Sequence, residues 1–156
     1  MASDEPIRLF GVDVEVVDDE ETRRKLRQSF DDLEGIIDSL NDAVFLHDRD
    51  GNLLYVNETV EERLGYSKAE LLEMTPRDFD APEWAGRFEE RIETLEREGS
   101  LVFESVHVTR DGDRIPVEIN SATISFRGEP AILSVARDIT ERKERERELE
   151  RSEEIG

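Results

Sequence analysis

The sequence predicts an α+β domain: a five-stranded antiparallel sheet with helices on one face, an amphipathic helix before it and a charged linker helix after it. Three observations carry this. Ala43 to Ser67 compresses a strand, a tight turn, a second strand and the start of a helix into one stretch. The last third divides into strands at Asp111-Gly112 and Arg127-Gly128, pairs that tolerate the positive φ of a hairpin turn. Between these regions, Tyr66 to Gly99 carries the prolines, capping residues and apolar spacings of short helices.

In chain order, residues 1–18 read as a leader or as the tail of a preceding module. Val12, Val14 and Val16 alternate with Asp13 and Glu15, a short strand with no evident partner. Over residues 19–41, Leu26, Phe30, Leu33, Ile37 and Leu40 recur at spacings of four and three, the apolar seam of a helix. Residues 42–140 form the domain proper. Ala43 to His47 is rich in branched and aromatic side chains, as a half-buried strand requires. Asp50-Gly51 then reverses the chain into Leu53 to Val56. Asn57 is placed to cap a helix with Val60 and Leu64 on one face and Gly65 at its end.

Ser67 and Glu70 form a capping-box pattern for a short helix through Leu71 and Leu72. Pro76 and Pro82 break regularity and leave Phe79 on a loop. A longer helix is expected from about Pro82 to Gly99, with Trp84, Phe88, Ile92 and Leu95 on one face. Three strands follow: Leu101 to Arg110, Arg114 to Phe126 and Ala131 to Asp138. Both sheet faces carry apolar side chains. The middle helices are expected to cover Phe103, Ile115, Val117, Ile119 and Ile132, and the Leu26 to Leu40 helix the opposite face. Residues 141–156 are almost wholly charged, with acid and base at helical spacing.

The charge balance is extreme. Acidic residues number 41 against 21 basic ones in 156, a net charge of −20. Such self-repulsion is tolerable where salt screens it, since the Debye length falls to about 3 Å at 1 M, and an origin in a salt-loving archaeon is expected. The same surface disfavours nucleic acid, whose binding depends on neutralising phosphates. The absence of cysteine excludes disulfides and thiolate metal sites. No apolar run approaches the roughly 18 residues of a membrane span, so a cytoplasmic location is expected.

Catalytic constellations are thin. The two histidines, His47 and His107, belong to no metal-binding spacing. Asp48, Asp50 and Asn52 faintly suggest a calcium loop, but the glycine comes too early and the distal glutamate is missing, so they read as turn residues. No phosphate-binding glycine loop occurs. The chain is therefore not expected to be an enzyme.

Asp48, Gly51, the Tyr55-Val56-Asn57 triplet and Leu64-Gly65-Tyr66-Ser67, followed downstream by Arg110-Asp111-Gly112 and by Asp138 to Lys143, resemble the landmarks of a PAS domain. The resemblance spans about Phe30 to Lys143. It implies a sensory module of a signal-transduction protein, such as a sensor kinase of a two-component system or a transducer-like regulator. It also implies a homodimer, here through Leu26, Phe30, Leu33, Ile37 and Leu40. The alternative is a dimerisation or protein-interaction adaptor with a filled core.

Aligned on the same landmarks, the resemblance puts Phe45 and His47 on the inner face of the first strand and Phe103, Ser105 and His107 on that of the third. Val117, Ile119 and Ser121 then face inward from the fourth strand, and Ile132, Ser134 and Ala136 from the fifth. With Phe79, Trp84 and Phe88 these would enclose a ligand cavity. The imidazoles would hydrogen-bond a carbonyl or carboxylate, and the aromatic rings would flank an aromatic group. Two departures narrow the cofactor. Covalent flavin and covalent chromophore chemistry both need cysteine, and the haem-binding relatives use a histidine on the long helix that is missing here. A metabolite-sized ligand or an empty core is expected, with no metal.

Overall fold

The computed structural model describes residues 7–9, 12–14, 20–39 and 41–155. Within them the side chains of 7–9, 12–14, 23, 26, 30, 34, 36–39 and 153–155 lie outside the description. The chain divides into two compact units, Met1–Asn41 and Asp42–Gly156.

In the first unit, β1 (Ile7–Leu9) pairs antiparallel with β2 (Val12–Val14), Ile7 opposite Val14. The Val12 strand thus has the partner that its sequence did not reveal, while Val16 lies outside the described residues. Helix α1 (Glu20–Ser39) follows. Leu33 of its seam is 43% exposed. The side chains of Leu26, Phe30 and Ile37, and Leu40 altogether, lie outside the described residues.

The second unit is built on five antiparallel strands in the order β4-β3-β7-β6-β5. They are β3 (Ala43–Asp48), β4 (Leu53–Val56), β5 (Ser100–Val108), β6 (Arg114–Phe126) and β7 (Glu129–Asp138). The turns follow local chemistry. Asp48 Oδ1 accepts from the backbone N–H groups of Asp50 and Asn52, and Oδ2 from the Asn52 amide. The Asp48 carboxylate organises the reversal, which is why Asp48, Asp50 and Asn52 form a turn. Gly51 has φ +94°, a conformation that favours glycine, and a Cβ built there would stand 3.0 Å from the Phe88 ring and crowd it.

Asn57 does more than cap α2 (Glu58–Leu64). Fully buried, it accepts at Oδ1 from Val44 N–H at 2.9 Å and Val60 N–H at 3.4 Å, and its Nδ2 donates to Asp42 O at 3.0 Å. One amide therefore finishes the β4 ladder against β3 and starts the helix. The Ser67 capping box opens α3 (Lys68–Leu71) as expected. Val60, Leu64 and Leu71 pack on Ala43, Phe45, Val56 and Val117, each full burial contributing about 1.5–3 kcal/mol.

Two expectations fail between Pro76 and Gly99. Phe79 is not on a loop: it ends a one-turn helix, α4 (Pro76–Phe79), with Pro76 at its start and a Thr75–Asp78 capping box, and it is 1% exposed. The long helix is broken into α5 (Pro82–Ala85) and α6 (Phe88–Glu98), with Gly86 and Arg87 between them. The break re-aims Trp84. Phe88, Ile92 and Leu95 are buried on the sheet, but Trp84 is only half-buried and stacks with Arg87 at 4.6 Å. Helix α7 (Thr140–Ile155) leaves from β7. Ile139 beneath its start is buried, and Leu149 is exposed.

Candidate functional site

The inner face of the sheet, roofed by α4 and α6, encloses a cavity of about 50 Å³. Phe45 and His47 line it from β3, Phe79 from α4, Phe88 from α6, Phe103 and His107 from β5, Ile119 from β6 and Ser134 from β7. The sheet curls strongly enough to bring Phe45 and His107, three strands apart in sheet order, within 5.9 Å ring to ring. Four of the twelve expected residues do not line the cavity. Val117 and Ala136 are ordinary core on the same unit, Ser105 lies beneath Asp80, and Trp84 lines an outer groove with Arg87.

The sequence did not point to the polar groups that give the site its character. Asp80, which follows α4, pairs its backbone with His107 as an isolated bridge, and Ala81 N–H donates to Val106 O at 2.8 Å. These bonds pull the Asp80 carboxyl under the sheet, where it is 7% exposed. Arg91 of α6 approaches Asp80 Oδ2 at 3.8 Å, and Ser105 Oγ donates to Oδ1 at 3.5 Å. Arg91 also lies over the Phe103 ring at 4.1 Å. Ser121 and Ser134, opposite each other on β6 and β7, share a hydrogen bond of 2.7 Å at the cavity wall.

Burial sets the charge states. It pushes the Asp80 carboxyl up to about 6, against the pull of Arg91 and the Ser105 hydroxyl. Burial first, and the positive charges of Arg63 and Arg91 next, hold His107 down to about 3. His47 is likewise lowered by burial, opposed by its bond to the Asp48 carbonyl. Both imidazoles are therefore neutral at neutral pH, and the 3.5 Å approach of His107 Nε2 to Asp80 Oδ1 is a polar contact rather than an ion pair.

Neutral imidazole has one N–H and one lone pair, and neighbours decide which nitrogen is which. His47 Nδ1 lies 2.7 Å from the Asp48 carbonyl, so Nδ1 carries the proton and Nε2 the lone pair. His107 Nε2 faces a carboxylate oxygen, so the proton sits on Nε2. Its buried Nδ1, with no hydrogen-bond partner among the described residues, then carries the lone pair. Among the described residues no group of three or more His, Cys, Asp or Glu side chains is arranged to hold a metal.

A family model described as PAS domain matches residues 41–141. The methyl sulfide methyltransferase-associated sensor of Methanosarcina acetivorans is 35% identical over 139 residues, 88% of this chain but 14% of that protein. This chain thus spans about one seventh of that relative's length. Among solved structures, the PAS domain of an HTR-like protein from Haloarcula marismortui superposes with a TM-score of 0.72 at 25% identity, covering 78% of this chain and 100% of that one. A PAS domain from a two-component sensor histidine kinase gives 0.63 at 19% identity over 72% of this chain and 98% of that one, a likeness of fold alone.

Proposed function

The chain belongs to the PAS domain family, and from that premise we propose that it binds a small molecule in its core and relays occupancy through its flanking helices to an output module. The parent would be a sensor kinase or transducer-like regulator, and this segment would be non-catalytic and cytoplasmic. No helix among the described residues is long and apolar enough to cross a membrane. Two copies would meet through the seam of Leu26, Phe30, Leu33, Ile37 and Leu40. The acidic surface, at net charge −20, suits a solution of high salt.

One observation carries the ligand reading: an apolar cavity between the curled sheet and the helices α4 and α6, with His47, His107, Ser121 and Ser134 among its lining residues. The relay has a physical route. Arg142 in the first turn of α7 reaches Glu104 on β5 at 2.5 Å and Glu118 on β6 at 3.2 Å, and Ile139 N–H donates to Pro116 O. These are the strands whose inner side chains Phe103, His107, Ile119 and Ser121 wall the cavity. A shift of β5 against β6 on ligand binding would act on the root of the exit helix.

The smallness of the cavity favours a second reading, the adaptor with no physiological ligand. Its 50 Å³ is about a third of the ~150 Å³ that accommodates benzene in an engineered core. Native mass spectrometry of the purified protein separates the two. A retained small molecule, released on denaturation together with faster amide exchange over residues 140–143, supports sensing. A bare polypeptide mass, with unchanged exchange there after incubation with cell metabolites, supports the adaptor.

A further inference from the structure

We propose that the ligand site continues past Ile92, Leu95 and Ile132 into a second hollow at the start of β7, and that its ligand is an uncharged aromatic ring bearing a linear aliphatic tail. This rests on the reading of the cavity as a ligand site and adds the shape and chemistry of what fills it.

The inner cavity alone, at about 50 Å³, is short of the room one ring takes. A hollow of about 130 Å³ adjoins it, with Arg49, Glu96, Thr123 and Pro130 among its lining residues. Ile92 and Leu95 of α6 and Ile132 of β7 line both spaces, so these three side chains form the partition. All three are buried, and with Phe88 they make an apolar cluster of their own. An aliphatic side chain turns to another rotamer without breaking a hydrogen bond, so this partition yields where a wall of paired polar groups would not. The frame beside it is pinned, since Thr123 N–H donates to Gly99 O, just past the end of α6, at 3.0 Å.

The walls divide the chemistry of the ligand. Phe45, Phe79 and Phe88 line the inner end, the first two stacked at 5.3 Å, which suits a ring. The apolar lining of the outer hollow is aliphatic, Ile92, Leu95, Pro130, Ala131 and Ile132, which suits methylene groups. Charges at both ends are already paired, Asp80 with Arg91 inside and Arg49 with Glu96 at 2.6 Å in the outer hollow. A charged ligand would have to take one of these partners from the other, whereas a neutral one leaves both pairs intact. The Arg49–Glu96 pair is also exposed to solvent and so weakly held, which leaves the outer end open to an entering tail.

Two isomers of equal carbon count, n-butylbenzene and tert-butylbenzene, test the assignment when titrated by NMR into protein with ¹³C-labelled methyl groups. Ile119 lines the inner cavity and not the outer hollow, and Thr123 the reverse, so their methyls report the two ends separately. The linear isomer is expected to bind about tenfold more tightly, the worth of roughly two more buried methylene groups, with its ring protons near Ile119 and its terminal methyl near Thr123. Thr123→Leu, at an exposed position opposite Ile132, fills the outer hollow and is expected to abolish the preference. The methyl contacts are read in the unaltered protein, so a poorly folded variant does not remove the test. Equal binding of the isomers, or a bound n-butylbenzene that touches Ile119 but not Thr123, overturns the second hollow and leaves the cavity reading standing. Contacts at Thr123 alone overturn it too, as a surface groove unconnected to the cavity. If neither isomer reaches either methyl, this inference and the ligand reading fall together.

Discussion

Replacing Asp80 by asparagine isolates the cost of ionising a carboxyl beneath the sheet. The carboxyl is raised from 3.8 to about 6 by burial. Its neutral form is therefore favoured in the folded chain, and the stability this gives is complete below about pH 4 and lost as pH rises through 6. At about 1.4 kcal/mol per unit the loss is about 3 kcal/mol. The groups facing the carboxyl are Arg91 from α6 and Ser105 and His107 from β5. Arg91 stays cationic across this range, the hydroxyl does not titrate, and His107 is neutral in the folded protein above about pH 3.

His107 by itself tilts the curve the other way. Its folded value lies below its ordinary 6.5, so it makes stability rise between about pH 3 and 6.5. That slope is common to both proteins and cancels in their difference. Protonated Asp80 and the asparagine that replaces it leave Arg91 equally without an anion, so near pH 4 the two proteins differ only by the exchange of one neutral group for another. From pH 4 to pH 7, Asp80→Asn should gain about 3 kcal/mol relative to the parent. This is about 1.5 M in urea midpoint at a slope near 2 kcal/mol/M. Urea titrations followed by Trp84 fluorescence and far-ultraviolet circular dichroism at several pH values measure it. A difference that stays flat from pH 4 to 7, or that moves against the variant, refutes the account of the buried cluster.

Two further substitutions test the frame around the cavity. Asn57→Ala strips the cap from α2 and leaves the Val44 N–H without its acceptor inside the sheet, so it should cost about 3 kcal/mol in urea denaturation. Asn57→Asp keeps the acceptor and should recover part of that loss. Gly51→Ala places a Cβ 3.0 Å from the Phe88 ring at a positive φ; it should cost about 1–2 kcal/mol from backbone strain alone and, by moving Phe88, weaken any ligand that the cavity holds.

Much of the fold was legible because its signals are local. Asp50-Gly51 and Arg127-Gly128 announce turns through φ preference, which needs no knowledge of partners. In the structure Arg127 and Gly128 both take positive φ. The inward register was legible too, since one alignment of a strand fixes every second residue, and His47, Phe103 and His107 all came to the cavity. The misreading of Phe79 was avoidable. Thr75 and Asp78 stand at capping-box spacing around Pro76, a helix start in which the first proline opens the turn rather than breaking it. Trp84 leaves the periodic stripe because the helix does not run through Gly86, a poor helix former at which α5 ends.

The part of the site that could not be read is the part that decides its chemistry. Asp80 and Arg91 are eleven positions apart, on no common element, and nothing in the order of residues says that a bridge to His107 will draw the carboxyl inward. The polarity of the imidazoles is further out of reach. A histidine in a sequence is equally a donor and an acceptor, and His47 becomes an acceptor only because its Nδ1 meets the carbonyl of the next residue, His107 only because its Nε2 meets a carboxylate. Sequence pattern placed both rings at the cavity; their second contacts set which nitrogen of each carries the proton.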